Sequence, residues 1–345
     1  MTDPRRPVLG VIGNDVPRQL VLAAGILPRR LHGSWTAPVD ERAAALLGAA
    51  DAVAARLLAQ VRTEPLDGLV VCNDSQASLR VFYVLRATMP ELPVHLLDLP
   101  RDDRPAARRF VRRQFEGLLA FCLRIGGAVP EPATLADAAR AERAVGDARA
   151  RLRERRRAQP ARVRGAVALD ALLDSARLDP ATAVARLDAA VDDAPTTGIR
   201  VHVTGSGHPD ADVYRVLEEG GAVVVSEDHD TGDAAWVGNA VDGDDVDAVL
   251  DGLVARHFAR VATSPTALSA DRADITADTA LDAQVDIALA LIRAADEAPL
   301  WDLADQRSAL AAFGLRLAVV APVRPGAELE AAREAVGLVH GEAVR

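Results

Sequence analysis

The sequence predicts an α/β protein in which parallel sheets are covered by helices. Three observations carry that prediction. Short apolar, β-rich runs alternate with Ala-, Leu- and Arg-rich helical stretches, the pattern of strands buried on both faces. The alternation gives way to a helical middle and restarts after Gly198. Half of the 345 residues are hydrophobic, enough for more than one core.

Val8-Leu9-Gly10-Val11-Ile12 reads as the first strand. Gly13-Asn14-Asp15 then supplies a turn with capping side chains, and a helix over 17–24 is closed by Gly25. A second strand is expected over 26–31, a long helix over 41–63, a third strand over 68–72, a helix over 75–87 and a fourth strand over 94–97. Their loops are expected at the carboxyl edge of one sheet, where open α/β folds bind ligands. From 105 to 194 the chain reads as helix, with the apolar ladder Phe110, Phe115, Leu118, Leu119, Cys122 and Ile125. After Gly198 come a strand over 199–203, the loop Gly205-Ser206-Gly207-His208, a helix over 210–219 and a strand over 222–225. Further strands are expected over 285–291 and 315–320, with a helix over 303–313 between them. The organisation is an N-terminal α/β domain (1–100), a helical connector packed on both halves (101–197) and a C-terminal α/β domain (198–345).

Composition removes several function classes. All 40 basic residues are arginine, so lysine Schiff-base chemistry and the P-loop lysine are excluded. A net charge of -10 argues against nucleic acid or an anionic membrane as partner. With 3% aromatic residues there is no base-stacking platform. The apolar stretch behind Met1-Thr2-Asp3-Pro4-Arg5-Arg6 is too short for a signal h-region, and no run nears the ~18 apolar residues of a membrane span. Two cysteines, Cys72 and Cys122, fit a reducing compartment, and a cytoplasmic protein is the expectation.

Four segments are candidates for chemistry. Gly205-Ser206-Gly207 follows a strand and opens a helix, so its N–H groups suit a phosphate or carboxylate; a tight turn explains it equally, since Asp210 replaces the third glycine of the dinucleotide fingerprint. Glu227-Asp228-His229-Asp230, with His202 and His208, has the side chains of a metal site without its spacing, and a solvated acidic loop is expected. Arg149, Arg151, Arg153, Arg155, Arg156 and Arg157 would suit an RNA or acyl-phosphate clamp, but they spread around a helix and predict a solvated face. Cys72 ends a strand and precedes Asn73-Asp74-Ser75, a helix start. Its sulfur is therefore expected in the cleft near a positive helix end, with thiolate character and His32 or His95 as possible partners; the other reading is a small core hydrophobe. Cys122 reads as core.

Gly10-Val11-Ile12, Asn14-Asp15-Val16-Pro17 and Leu22-Ala23-Ala24-Gly25-Ile26-Leu27-Pro28 resemble the opening of the 2-hydroxyacyl-CoA dehydratase and benzoyl-CoA reductase subunits. Asp67-Gly68-Leu69-Val70-Val71-Cys72-Asn73-Asp74 resembles that family's strand ending in a cluster-ligating cysteine, and Leu99-Pro100 with Phe110 to Gly126 resembles its helical segment. Arg200-Val201-His202-Val203-Thr204-Gly205-Ser206 and Leu217-Glu218-Glu219-Gly220-Gly221-Ala222-Val223-Val224-Val225-Ser226-Glu227-Asp228 resemble its glycine turn and following strand, so the resemblance runs from about 7 to 320.

The resemblance implies two flavodoxin-like domains joined by a helical segment, and a heterodimer with a homologous sister subunit; association with that subunit or self-association is the expectation. It also implies an iron–sulfur cluster ([4Fe-4S]) in the cleft, an ATPase activator protein as electron donor, and an acyl-CoA substrate that loses water by radical elimination, a lyase reaction. By position Cys72 would be the metal ligand, with Asn73, Asp74, Ser75, Gly205, Ser206 and Asp228 at the cofactor site. The family's later cysteine, expected before Trp301-Asp302, is replaced around Ala294-Ala295-Asp296. Two readings follow: a subunit of a 2-hydroxyacyl-CoA dehydratase-like enzyme, or a cluster-free paralogue that serves as a structural or ligand-binding partner subunit. A third is a cluster-free flavodoxin-like enzyme acting on a phosphorylated small molecule.

Overall fold

The computed structural model describes residues 6–48, 50–192, 194–263 and 266–343; Met1 to Arg5 of the N-terminal stretch lie outside them. In the first half, β1 (Val8–Ile12), β2 (Leu27–Arg30), β3 (Gly68–Cys72) and β4 (Val94–Leu97) form a parallel sheet in the order β2-β1-β3-β4. α1 (Arg18–Ala23), α2 (Glu41–Leu47), α3 (Ala52–Val61) and α4 (Gln76–Thr88) connect the strands. The helix expected over 41–63 is two helices. Gly48 ends α2 at φ 64°, and Asp51 starts α3 by accepting the Val53 N–H at 3.1 Å.

The connector is α5 (Pro105–Arg124), α6 (Pro132–Arg157), α7 (Gly165–Ser175) and α8 (Pro180–Asp188). The second half repeats the first: β5 (Ile199–Gly205), α9 (Asp212–Glu219), β6 (Ala222–Glu227), α10 (Val246–Phe258), α11 (Ser269–Asp282), β7 (Ile287–Arg293), α12 (Ala298–Ala311), β8 (Leu317–Val323) and α13 (Glu328–Ala343). Its parallel sheet has the order β6-β5-β7-β8, so the α/β architecture is that of two flavodoxin-like domains. β1 and β3, at the middle of the first sheet, are apolar and buried at every position because helices cover both faces. Among the described residues no single helix is long and apolar enough to cross a membrane.

The sheets divide near 198, but the cores do not. Trp236 and the α10 side chains Val249, Leu250, Leu253 and Val254 pack in one cluster with Leu9 and Val11 of β1 and Phe115 and Leu118 of α5. In return Trp35, from the loop after β2, packs with Val201, Val203, Tyr214 and Leu289 of the second half. Each half thus completes the other's core.

The arginine-rich end of α6 differs from the expected solvated face. Arg151 is exposed and pairs with Asp188, whereas Arg149 and Arg156 are buried. Arg156 bonds Glu227 at 2.7 Å and Asp233 at 3.0 Å, and Arg149 bonds the Gly232 carbonyl at 2.7 Å. The same contacts overturn the expected solvated acidic loop, since Glu227, Asp228 and His229 are each no more than 3% exposed. A buried carboxylate persists where a guanidinium answers it, and here that partner comes from α6.

Candidate functional site

The winding direction reverses between β1 and β3, and again between β5 and β7, leaving a crevice at the carboxyl end of each sheet. The two crevices face one another across a cavity of about 430 Å³. Gly13, Asn14, Arg30, Asp51, Asp74 and Ser75 line it from the first half, and Gly205, Gly207, Asp230, Thr231, Arg293 and Asp296 from the second.

Local geometry sets these positions. Gly13 adopts φ 100°, and a Cβ there would run into the Asp74 carboxylate and the Cys72 Cβ. The loop after β1 can therefore lie flat on the end of β3. Asp74 then accepts the Asn14 N–H at 2.8 Å and the Ser78 hydroxyl at 3.1 Å, while Ser75 caps α4 through the Ser78 N–H at 3.0 Å. Arg30, at the end of β2, reaches across to Asp230 at 2.6 Å and also bonds Asn14 Oδ1 at 3.1 Å. Arg293, at the end of β7, reaches back to Asp51 at 2.9 Å and holds Asp296 at 3.3 Å and the Gly207 carbonyl. Each half sends a guanidinium to a carboxylate of the other.

Electrostatics separate two neighbouring carboxyls. Burial pushes Asp74 up to about 7, reinforced by the nearby Asp15 and Asp230. Burial would raise Asp15 as well, but Arg260 and Arg101 outweigh it and hold that carboxyl below its ordinary range. Arg260 contacts Asp15 at 2.7 Å and also lies 4.3 Å from the Trp236 ring centroid.

Cys72 does not reach the cleft. It is fully buried beneath Gly13, and its Sγ accepts the Asp15 N–H at 3.4 Å. Burial, then Asp74 and Asp15, pushes its thiol well above the usual range, the direction opposite to the thiolate character expected from the sequence. Neither considered histidine is placed as its base: His32 Nε2 meets the Leu173 carbonyl at 3.3 Å, and His95 stacks on Phe121. Cys122 is core as expected, its thiol pushed up to about 12 by burial.

The other sequence candidates scatter. Asn73 is exposed and turns to Asp98 at 3.0 Å. Gly205 lines the cleft at φ 101°, where a Cβ would stand 2.6 Å from the Leu291 carbonyl oxygen. The loop it opens is a tight turn in which two amides are taken: Ser206 N–H by Leu291 O at 2.9 Å and His208 N–H by Thr231 Oγ1 at 2.8 Å. Ser206 itself is buried and donates to Asp296 at 2.6 Å. Asp228 lies inside the second domain, 3.1 Å from Arg272 and in reach of Thr204, Thr276 and His202. Burial opposes its charge, yet Arg272 and His202 hold the carboxyl far below the usual range. Arg30, Asp51 and Arg293 were not among the sequence candidates, and Asp230 was considered only within the acidic loop Glu227-Asp228-His229-Asp230; Arg293 carries the one available signal, an arginine ending an apolar strand.

A family model described as 2-hydroxyglutaryl-CoA dehydratase, D-component, matches residues 14–311. The chain belongs to that family. No curated protein matches it. Apart from Gly13, every cleft residue named above lies inside the matched span. A 2-hydroxyglutaryl-CoA dehydratase D-component is part of a multi-subunit dehydratase. The donor set of this dehydratase component can be compared with an iron–sulfur cluster. A four-iron cluster is held by about four ligands, mostly thiolates. This chain has two cysteines, one sealed under the cleft floor and one in a helical core. Among the described residues no group of three or more His, Cys, Asp or Glu side chains is arranged to hold a metal ion. The residues present do not fit a [4Fe-4S] cluster bound by this chain alone.

Proposed function

We propose that this chain is the cluster-free, ligand-binding subunit of a 2-hydroxyacyl-CoA dehydratase-type complex. In this reading it works in the cytoplasm, its inter-domain cleft receives an acyl-CoA, and a homologous sister subunit bears the cluster served by an ATPase activator. The observation that carries the reading is the placement of the two cysteines: Cys72 is buried beneath Gly13 and Asp15 and Cys122 lies in a helical core, so neither thiol reaches the cleft.

The test is anaerobic purification of the chain alone and co-expressed with a neighbouring homologous subunit, with iron and sulfide measured in each. The expected result is less than one cluster per chain when alone, with iron following the partner in the complex. Near-stoichiometric iron and sulfide in the isolated chain, lost in Cys72→Ala and kept in Cys122→Ala, would instead establish the cluster-bearing reading with Cys72 as ligand. A strict monomer, alone and with its neighbour, would remove the partner-subunit reading.

A further inference from the structure

α11 and α12 lie side by side on the second sheet, tied by Gln306 to Thr276 at 2.9 Å and by Ser269 to Asp305 at 2.5 Å. Their outward sides therefore make one surface. Leu268, the residue before Ser269, is 74% exposed, and Trp301, one turn before Asp305, is 78% exposed with the exposed Leu300 beside it. Large apolar side chains gathered in solvent around a tryptophan mark an interaction surface. Along α11 the same surface carries Asp271, Asp274, Asp278 and Asp282, which fall on one side of the helix, exposed and without a basic partner among the described residues. A nucleotide, a nucleic acid or an anionic membrane would be repelled by that row, so its occupant has to bring cations and apolar side chains together.

A face of that kind stands elsewhere on this chain. On α5 the exposed Phe110 is flanked by Arg109 and Arg113, one turn apart, both exposed and without an acidic partner among the described residues. Their neighbours Arg108 and Arg112 are by contrast paired, the first with Asp103 and the second with Asp247 and Asp251. The net charge of -10 opposes any general attraction between copies, which leaves local complementarity of this kind to bring them together.

We propose that the α11–α12 face is the docking surface for a second copy of this chain, which lays the Arg109-Phe110-Arg113 face of its α5 across the aspartate row and Trp301. Around a two-fold axis each copy gives this contact once and receives it once. The pairing is independent of what the cleft binds, and it leaves the rest of the surface open to a sister subunit.

The test is light scattering of the full chain and of two charge-reversed variants, one with Asp274→Arg and Asp278→Arg, the other with Arg109→Asp and Arg113→Asp, their folding checked by thermal melting. The parent is expected to be a dimer. Each variant alone sets like charges against one another at both contacts and should self-associate at least about tenfold more weakly. An equal mixture of the two restores opposite charges at both contacts and should recover the dimer. Iodide quenching gives a second readout, because Trp35 and Trp236 are buried and Trp301 is the exposed tryptophan: quenching should rise as the parent dimer is diluted. A monomeric parent would overturn the proposal, including one that gains a partner only from a sister subunit, an outcome that leaves the partner-subunit reading standing. A dimer indifferent to both reversals, or variants that stay apart when mixed, would also overturn it.

Discussion

Trp35 and Trp236 are exchanged between the two halves of the chain: Trp35, 1% exposed, completes the core under the second sheet, and Trp236, 5% exposed, completes the core under the first. Each side chain belongs by sequence to the opposite sheet. The cleft between the sheets is therefore bounded by two packed cross-overs and by the Arg30–Asp230 and Arg293–Asp51 ion pairs.

Truncating either tryptophan is expected to loosen both domains together. Trp236→Ala and Trp35→Ala are each expected to cost about 3–5 kcal/mol, the usual range for a large buried aromatic. Because the cores are shared, urea unfolding should remain one transition by far-UV dichroism and by fluorescence. Two resolved transitions in the parent would show that the halves are independent.

Arg156 offers a contrast with Arg151 on the same helix. Arg156→Gln leaves Glu227 and Asp233 buried with their main partner gone and is expected to cost about 3–5 kcal/mol. Arg151→Gln removes an exposed pair with Asp188 and is expected to cost under about 1 kcal/mol. Chemical denaturation of both variants checks the ratio; equal small losses would show that Arg156 is not a buried counter-ion.

His208 is fully buried, its ring 4.2 Å from that of Trp35 and 5.0 Å from that of His229. Burial, then His229 and Arg293, holds it well below the ordinary 6.5. The native state thus refuses a proton that the unfolded chain accepts near pH 6.5, so this group costs stability as pH falls below that value. The slope is up to about 1.4 kcal/mol per pH unit. His208→Phe keeps a ring against Trp35 and should flatten the fall in melting temperature between pH 7 and pH 5. An unchanged slope would show that His208 does not titrate across unfolding.

Asp74 works in the opposite sense. The native state keeps its proton up to about pH 7 whereas the ordinary carboxyl releases it near 3.8, so its contribution to stability is lost as pH rises between those values. The groups facing it are Asp15 and Cys72 from the first domain, Arg30 from β2 and Asp230 from the second. Asp74→Asn should therefore raise the melting temperature more at pH 8 than at pH 4. A gain of the same size at both pH values would place the Asp74 carboxyl in the ordinary range.

What could be read from the residues was local. The strands declared themselves as apolar runs, and Gly13-Asn14 and Asp74-Ser75 marked the turns that the structure brings to the cleft. What could not be read depended on distant partners. Arg149, Leu152 and Arg156 share a helical face, a pattern visible in the sequence, but the burial of Arg156 requires Glu227, 71 residues on. Asp228 looked like a loop-end ligand because nothing nearby announces Arg272, 44 residues later. The apolar stripe of α10, Val249, Leu250, Leu253 and Val254, runs through a stretch crowded with Asp242, Asp244, Asp245, Asp247 and Asp251, which hid both the helix and its destination. Gly48 was readable as a break in the helix over 41–63, and its positive φ shows why it acts as one.

The exchange of tryptophans has a consequence for any attempt to take the molecule apart. A fragment ending at 197 would keep the whole first sheet and α5, yet expose the groove in which Trp236 and α10 sit; its complement from 198 would lack the Trp35 plug. Neither piece is a domain in the sense of a unit that buries its own core. Mixed together, the two fragments carry complementary apolar surfaces, and a split protein should recover structure only as a pair.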